Sequence, residues 1–210
     1  TDPAVAAAVT RLEERASEIE RDAGVPCQVV VAVGGGSVAA TVLGAARETG
    51  CDLVAAAYET DGDALSPYLY DLFAGDVDVL VHRSGDGRTR WGRALVPVRR
   101  ASDVAHSMLD FAARLVGDGH VSVATCVSGE RGRRRGEAML ADLVEAFDEG
   151  FETRVSTLSI ERFLAENDDR YDIVFMGAST DRSAASRLIS PPTFERIREV
   201  DSDVAIVDRS

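Results

Sequence analysis

The chain repeats itself, and that duplication limits its fold more than any other feature. An Asp-led apolar run, CDLVAAAYE from Cys51 to Glu59, returns as YDIVFMGAS from Tyr171 to Ser179. DVDVLVHRS, from Asp76 to Ser84, returns as SDVAIVDRS, from Ser202 to Ser210. Between them, Ser66-Pro67 corresponds to Ser190-Pro191, each opening a helical pattern. The three matches are offset by 120 residues (Cys51 to Tyr171), 126 (Asp76 to Ser202) and 124 (Ser66 to Ser190), a spread that loop length absorbs.

Periodicity supplies the elements. Residues 2–23 predict an amphipathic helix, with Val5, Val9, Leu12, Ala16 and Ile19 on one stripe. Continuous apolar runs predict strands over 28–33, 52–58 and Val77 to His82, with helices over 37–48 and 66–73. The Gly- and Asp-rich SGDGRTRWG reads as a linker, dividing the chain into 1–84, 85–92 and 93–210. The second copy alternates strands at 94–98, 121–127, 152–158, 172–176 and Val204 to Val207 with helices at 102–116, 136–147, 160–166 and 193–200. Five near-continuous apolar strands alternating with helices predict an α/β unit: an open, doubly wound five-stranded parallel sheet, present in duplicate. The first copy lacks the opening strand, first helix and second strand. A parallel sheet without its central strand leaves unpaired backbone, so an upstream extension of the natural polypeptide, or another chain, is expected to fill the gap.

Composition narrows the class. The net charge is −13, and all 23 basic residues are arginine. This acidic excess argues against nucleic acid or anionic membranes as partners. Lysine-free acidity resembles proteins of salt-loving archaea and predicts a halophilic cytoplasm. No apolar run approaches the ~20 residues that span a bilayer. Cys27, Cys51 and Cys126 form no CxxC pair and fit reduced, buried small hydrophobes, and with His82, His106 and His120 they give no metal-ligand spacing.

GGGSVAATVLGAARETGCDLVAAAYE, GRALVPVRRASDVAHSMLDFAARL, YDIVFMGAST and DVAIVDRS together resemble universal stress protein domains. In order, spacing and repetition they look like a tandem form, as one and a half domains. The resemblance implies an adenine nucleotide alpha hydrolase-like fold with flavodoxin-like layering and a binding crevice at the carboxyl edge of the sheet. Many such proteins bind ATP, with an Asp ending the opening strand and a G-x-x-G, nine residues, G-[S/T] motif after the fourth. Glycines there let amides close around phosphate, and a helix N-terminus favours the anion.

This chain departs from that motif. Arg99 stands where the Asp is expected, Gly177 is kept, Thr180 replaces the second glycine, and Ser190-Pro191 replaces the final Gly-Ser/Thr. Val98, Arg99, Val127, Met176, Gly177, Thr180 and Ser190 therefore outline a degenerate nucleotide site, without metal and without a tightly held cofactor. ATP or AMP is the alternative ligand, and Arg99 leaves room for another anion.

Gly34-Gly35-Gly36-Ser37-Val38-Ala39 fits a loose dinucleotide fingerprint. The duplication nevertheless makes its strand third in its copy, so it reads as a turn into a helix. RGRRRGE (Arg131 to Glu137) reads as a solvated loop or a contact for an acidic partner or phosphate. No G-x-S-x-G elbow, triad or paired general acid and base appears, so no enzymatic activity is expected, slow ATP hydrolysis being left open. The last strands, Val77 to His82 and Val204 to Val207, are expected to pair copy against copy, or in a homodimer. The leading expectation is a regulatory or scaffolding module. Such domains occur fused behind membrane transporters, amino-acid permeases among them, which suggests the cytoplasmic part of a haloarchaeal transporter. The rivals are an ATP/AMP-binding stress or energy sensor and a cofactor enzyme of flavodoxin-like fold.

Overall fold

The computed structural model describes residues 3–61, 64–85, 87–148, 150–178 and 200–210. The first copy supplies α1 (Pro3–Ala23), α2 (Val38–Thr49), β1 (Leu53–Ala57), the hairpin strands β2 (Thr60–Asp61) and β3 (Ala64–Leu65), α3 (Pro67–Phe73) and β4 (Asp78–Arg83). The second supplies β5 (Arg93–Pro97), α4 (Asp103–Val116), β6 (His120–Cys126), α5 (Gly129–Val144), β7 (Glu152–Ser156), α6 (Ile160–Ala165), a 3-10 turn at Asp168–Arg170, β8 (Ile173–Gly177) and β9 (Asp203–Asp208). Four helices start on a serine whose hydroxyl accepts an amide of the first turn: Ser37 from Ala40, Ser66 from Leu69, Ser102 from Ala105 and Ser159 from Arg162. The expected helix at 193–200 lies, apart from Val200, outside the described residues.

The fold is α/β with helices on both faces of the sheet, as expected, but the strands form one sheet of seven in the order β1-β4-β9-β8-β5-β6-β7. Its last five are all parallel, so the second copy alone holds the five-stranded unit, with its opening strand β5 central. The first copy adds only β1 and β4, parallel to each other and joined to β9 by an antiparallel ladder.

That ladder fixes the symmetry. Leu53 pairs with Asp78 as Ile173 pairs with Asp203, so the last strands correspond at an offset of 125 (Asp78 to Asp203) rather than the 126 of their Arg-Ser endings. A one-residue slip would turn every core side chain to the other face. Val81 opposite Ile206 marks the pseudo-twofold, since the flanking pairs Leu80–Val207 and His82–Ala205 interchange about it.

Each face has its own core. Val79, Val81, Val204 and Ile206 pack with Leu43, Leu69, Leu72 and Phe163 under α2, α3 and α6. Ala205 and Val207 pack on the other face with Val96, Leu109, Leu140 and Phe175 under α4 and α5.

Three sequence expectations fail. Residues 28–33 form no strand and are mostly exposed. The corresponding strand of the second copy, β7, pairs only with β6, and the first copy has no counterpart of β6 to receive it. The helix expected at 136–147 instead begins at Gly129, taking in RGRRRGE. Arg133 and Glu137 pair one turn apart at 3.2 Å, and at Gly136 a Cβ would stand 2.9 Å from Thr125 Cγ2, so the glycine lets the helix lie close on β6. Cys51, expected buried, is exposed.

Candidate functional site

In an open parallel sheet the crevice lies beyond the carboxyl ends of the strands, where the winding reverses. Here that point is between β5 and β8, because the next strand after β5 is β6 on one flank of the pair and the next after β8 is β9 on the other. Val98, Arg99, Val127, Met176 and Gly177 all sit at or next to the carboxyl ends of β5, β6 and β8. Thr180 and Ser190 lie outside the described residues.

Three backbone amides at this rim are already engaged. The Val98 amide donates to the Ala124 carbonyl at 2.7 Å, Val127 to Ser156 at 2.8 Å, and Ala178 to Val207 at 2.7 Å. These amides, one past each strand end, are spent on neighbouring strands rather than left to a phosphate. Val98 and Met176 are core residues, buried on opposite faces. Gly177 carries a packing requirement of its own. A Cβ there would stand 3.0 Å from Val104 Cγ1 in the first turn of α4, with the Met108 sulfur and methyl 3.9 Å away. The glycine therefore admits the helix against the strand end.

Arg99 is exposed, and no hydrogen bond or ion pair joins it to another described residue. Beside it, Ser128 precedes α5 with no side-chain cap, and Arg131, Arg133, Arg134 and Arg135 are exposed along the first turns of that helix. Cys126 ends β6, where burial and then the nearby Glu161 push its thiol up, away from a reactive thiolate. The rim thus holds positive charge but no activated nucleophile among the described residues.

The Gly34–Gly36 stretch is a helix entrance. A Cβ on Gly34 would fall 2.0 Å from Thr41 Oγ1, and Ser37 caps α2 through Ala40 at 3.2 Å. No strand precedes it, so the dinucleotide context is missing.

Three carboxylates hold the opposite rim together. Asp203, with a fully buried side chain, accepts the Gly85 amide at 2.6 Å, the Trp91 indole Nε1–H at 2.7 Å, and approaches His82 Nε2 at 3.3 Å. Burial pushes its carboxyl up, but these donors outweigh that and hold it below the ordinary carboxylate value. Asp172 accepts the amides of Gly92 and Arg93 at 2.8 and 2.9 Å and pairs with Arg88. Asp168 accepts the amides of Asp201 and Ser202 at 2.5 and 3.2 Å. These acids tie Gly85, Arg88, Trp91 and Gly92 to the starts of β8 and β9, and Asp201 and Ser202 to the 3-10 turn. They match no local motif, because their partners lie tens of residues away.

A groove of about 320 Å³ opens elsewhere, on the sheet face beside α4, lined chiefly by Leu80, His82, Trp91, Phe111 and Leu115. Its walls are almost wholly apolar.

No protein-family model and no curated protein matches the chain. Solved structures do. A universal stress protein from Archaeoglobus fulgidus superimposes with a TM-score of 0.69 at 18% identity, over 95% of this chain and 77% of its own. A Pseudomonas aeruginosa protein assigned to the universal stress proteins gives 0.62 at 15% identity over the same shares. A functionally unknown protein from Pseudomonas aeruginosa gives 0.61 at 15%. The chain has the fold of the universal stress proteins.

Proposed function

We propose that the chain is a regulatory or scaffolding module of universal stress protein type, with a degenerate nucleotide crevice, acting on a membrane transporter fused to it or associated with it. The observation that carries the degenerate crevice is the packing of Val104 against Gly177. The one glycine kept from the motif serves a helix contact, and the amides of residues 98, 127 and 178 donate within the sheet. Arg99 in place of the expected acid adds charge but removes the carboxylate that the resemblance assigns to the nucleotide. No described helix is long and apolar enough to cross a membrane.

A thermal-shift titration with ATP and Mg²⁺, and separately with AMP, at high salt tests the reading. A ligand at a hundred times its Kd adds about 2.7 kcal/mol, or roughly 5–10 °C for a chain of this size. The expected shift is under about 1 °C. A shift of several degrees with either nucleotide overturns the degenerate crevice and establishes the nucleotide-sensor alternative.

A further inference from the structure

We infer that α1 is a self-association helix: two copies of the chain pair along it, in parallel, as a short two-stranded coiled coil. Its apolar stripe buries nothing against the other described residues, and the repeat along that stripe specifies the partner.

The helix stands outside the fold. None of its residues is buried, and none belongs to either core. Val5, Leu12 and Ile19 are 41%, 56% and 39% exposed. Each of α2, α3, α4, α5 and α6 buries two or more apolar side chains. An amphipathic helix of 21 residues takes most of its stability from whatever covers its apolar face.

The spacing says what kind of cover fits. Val5, Leu12 and Ile19 recur every seven residues, and Val9, Ala16 and Ala23 follow each of them by four. As the d and a positions of a heptad they make three repeats of a narrow seam, the pattern of a left-handed coiled coil. A helix seated on a globular core carries a wider stripe. Beyond Ala8 the flanks of this seam are charged instead, with Glu13 and Glu20 at e and Arg15 and Asp22 at g.

Those flanks say which partner, and which way round. In a parallel, in-register pair a g residue meets the e residue five positions on in the other helix. Arg15 then faces the partner's Glu20, twice over by symmetry. An antiparallel pair would turn the Glu13 and Glu20 flank against itself, and the Arg15 flank against itself. Both groups are available. Arg15 is held by Glu18 at 2.7 Å in an exposed pair, which contributes little. Glu20 gives Oε1 to the Cys27 amide at 2.8 Å, leaving Oε2 for a guanidinium. A membrane surface is the wrong cover, because helices that lie on anionic lipid are basic, and α1 carries five acids against three arginines.

Sedimentation velocity on the full chain between about 1 and 300 µM tests the pairing. The chain should be monomeric at the lower end and dimeric at the upper. Leu12→Glu places a charge in the seam and should raise the dissociation constant by about tenfold or more. Its urea midpoint, measured at the monomeric end, should not move, because Leu12 belongs to neither core. Direction is read by cross-linking in a chain whose Cys27, Cys51 and Cys126 are replaced by alanine. Val5→Cys should form a disulfide with its own copy under mild oxidation, since an antiparallel pair would hold the two sulfurs about 20 Å apart. A wild-type chain that stays monomeric at the upper end overturns the proposal. So does a Leu12→Glu chain that dimerises as well as wild type, which would put the interface on the strands. Val5→Cys that cross-links only when mixed with Ile19→Cys overturns the parallel arrangement.

Discussion

Replacing Asp203 should unfasten the segment that joins the two copies. The side chain is fully buried and accepts two short hydrogen bonds, from the Gly85 amide at 2.6 Å and the Trp91 indole at 2.7 Å, with His82 at 3.3 Å. A hydrogen bond to a charged group contributes about 1.5–3 kcal/mol, and Asp203→Ala strands both donors, so the expected loss is about 3–5 kcal/mol. Asp203→Asn should cost nearly as much, because one amide arm presents a donor where an acceptor was needed. The pH dependence has a definite sign. The folded carboxyl lies below its ordinary value, so its contribution is complete above the unfolded pKa and fades as pH falls through the folded one. Urea denaturation followed by circular dichroism at pH 7 and at about pH 3 measures both effects. The gap between wild type and variant should be wide at neutral pH and shrink in acid. A variant within about 1 kcal/mol of wild type at pH 7, or an equal gap at both pH values, refutes the reasoning.

Ile206→Ala removes a fully buried side chain on the pseudo-twofold axis and should cost about 3–4 kcal/mol, read as a lower urea midpoint. Combined with Val81→Ala, it should cost a total that departs from the sum of the two singles, since the residues face each other across the ladder. Gly85→Ala should lower the melting temperature by several degrees, because its Cβ would stand 2.2 Å from the Asp201 carbonyl oxygen, a backbone atom that cannot turn aside. Arg99→Glu should change stability by no more than about 0.5 kcal/mol, since the exposed guanidinium has no partner among the described residues.

The class of fold was legible because continuous apolar runs alternate with helical patterns along the second half of the chain. Pairing was less so. The Arg-Ser endings suggested one alignment of the last strands, while the ladder chose another by a single residue to keep Val79 and Val81 in the core. Residues 28–33 have the composition of a strand and still do not form one, because a strand exists only with a partner and composition cannot supply it. RGRRRGE looked like a loop because its glycines imitate turn residues, yet Gly136 is there to let a helix lie close on β6. At the rim, Val98, Arg99, Val127 and Gly177 fall at or just past the ends of β5, β6 and β8. What it missed was Val104, whose approach explains the glycine, and the buried Asp203, whose partners are more than a hundred residues away.

The antiparallel seam between β4 and β9 has a mechanical consequence. It aims the carboxyl ends of β1 and β4 one way and those of the five remaining strands the other. The carboxyl ends of the two halves therefore lie on opposite rims of the one sheet, a strand's length apart, so a pocket built at one rim shares no strand end with the other.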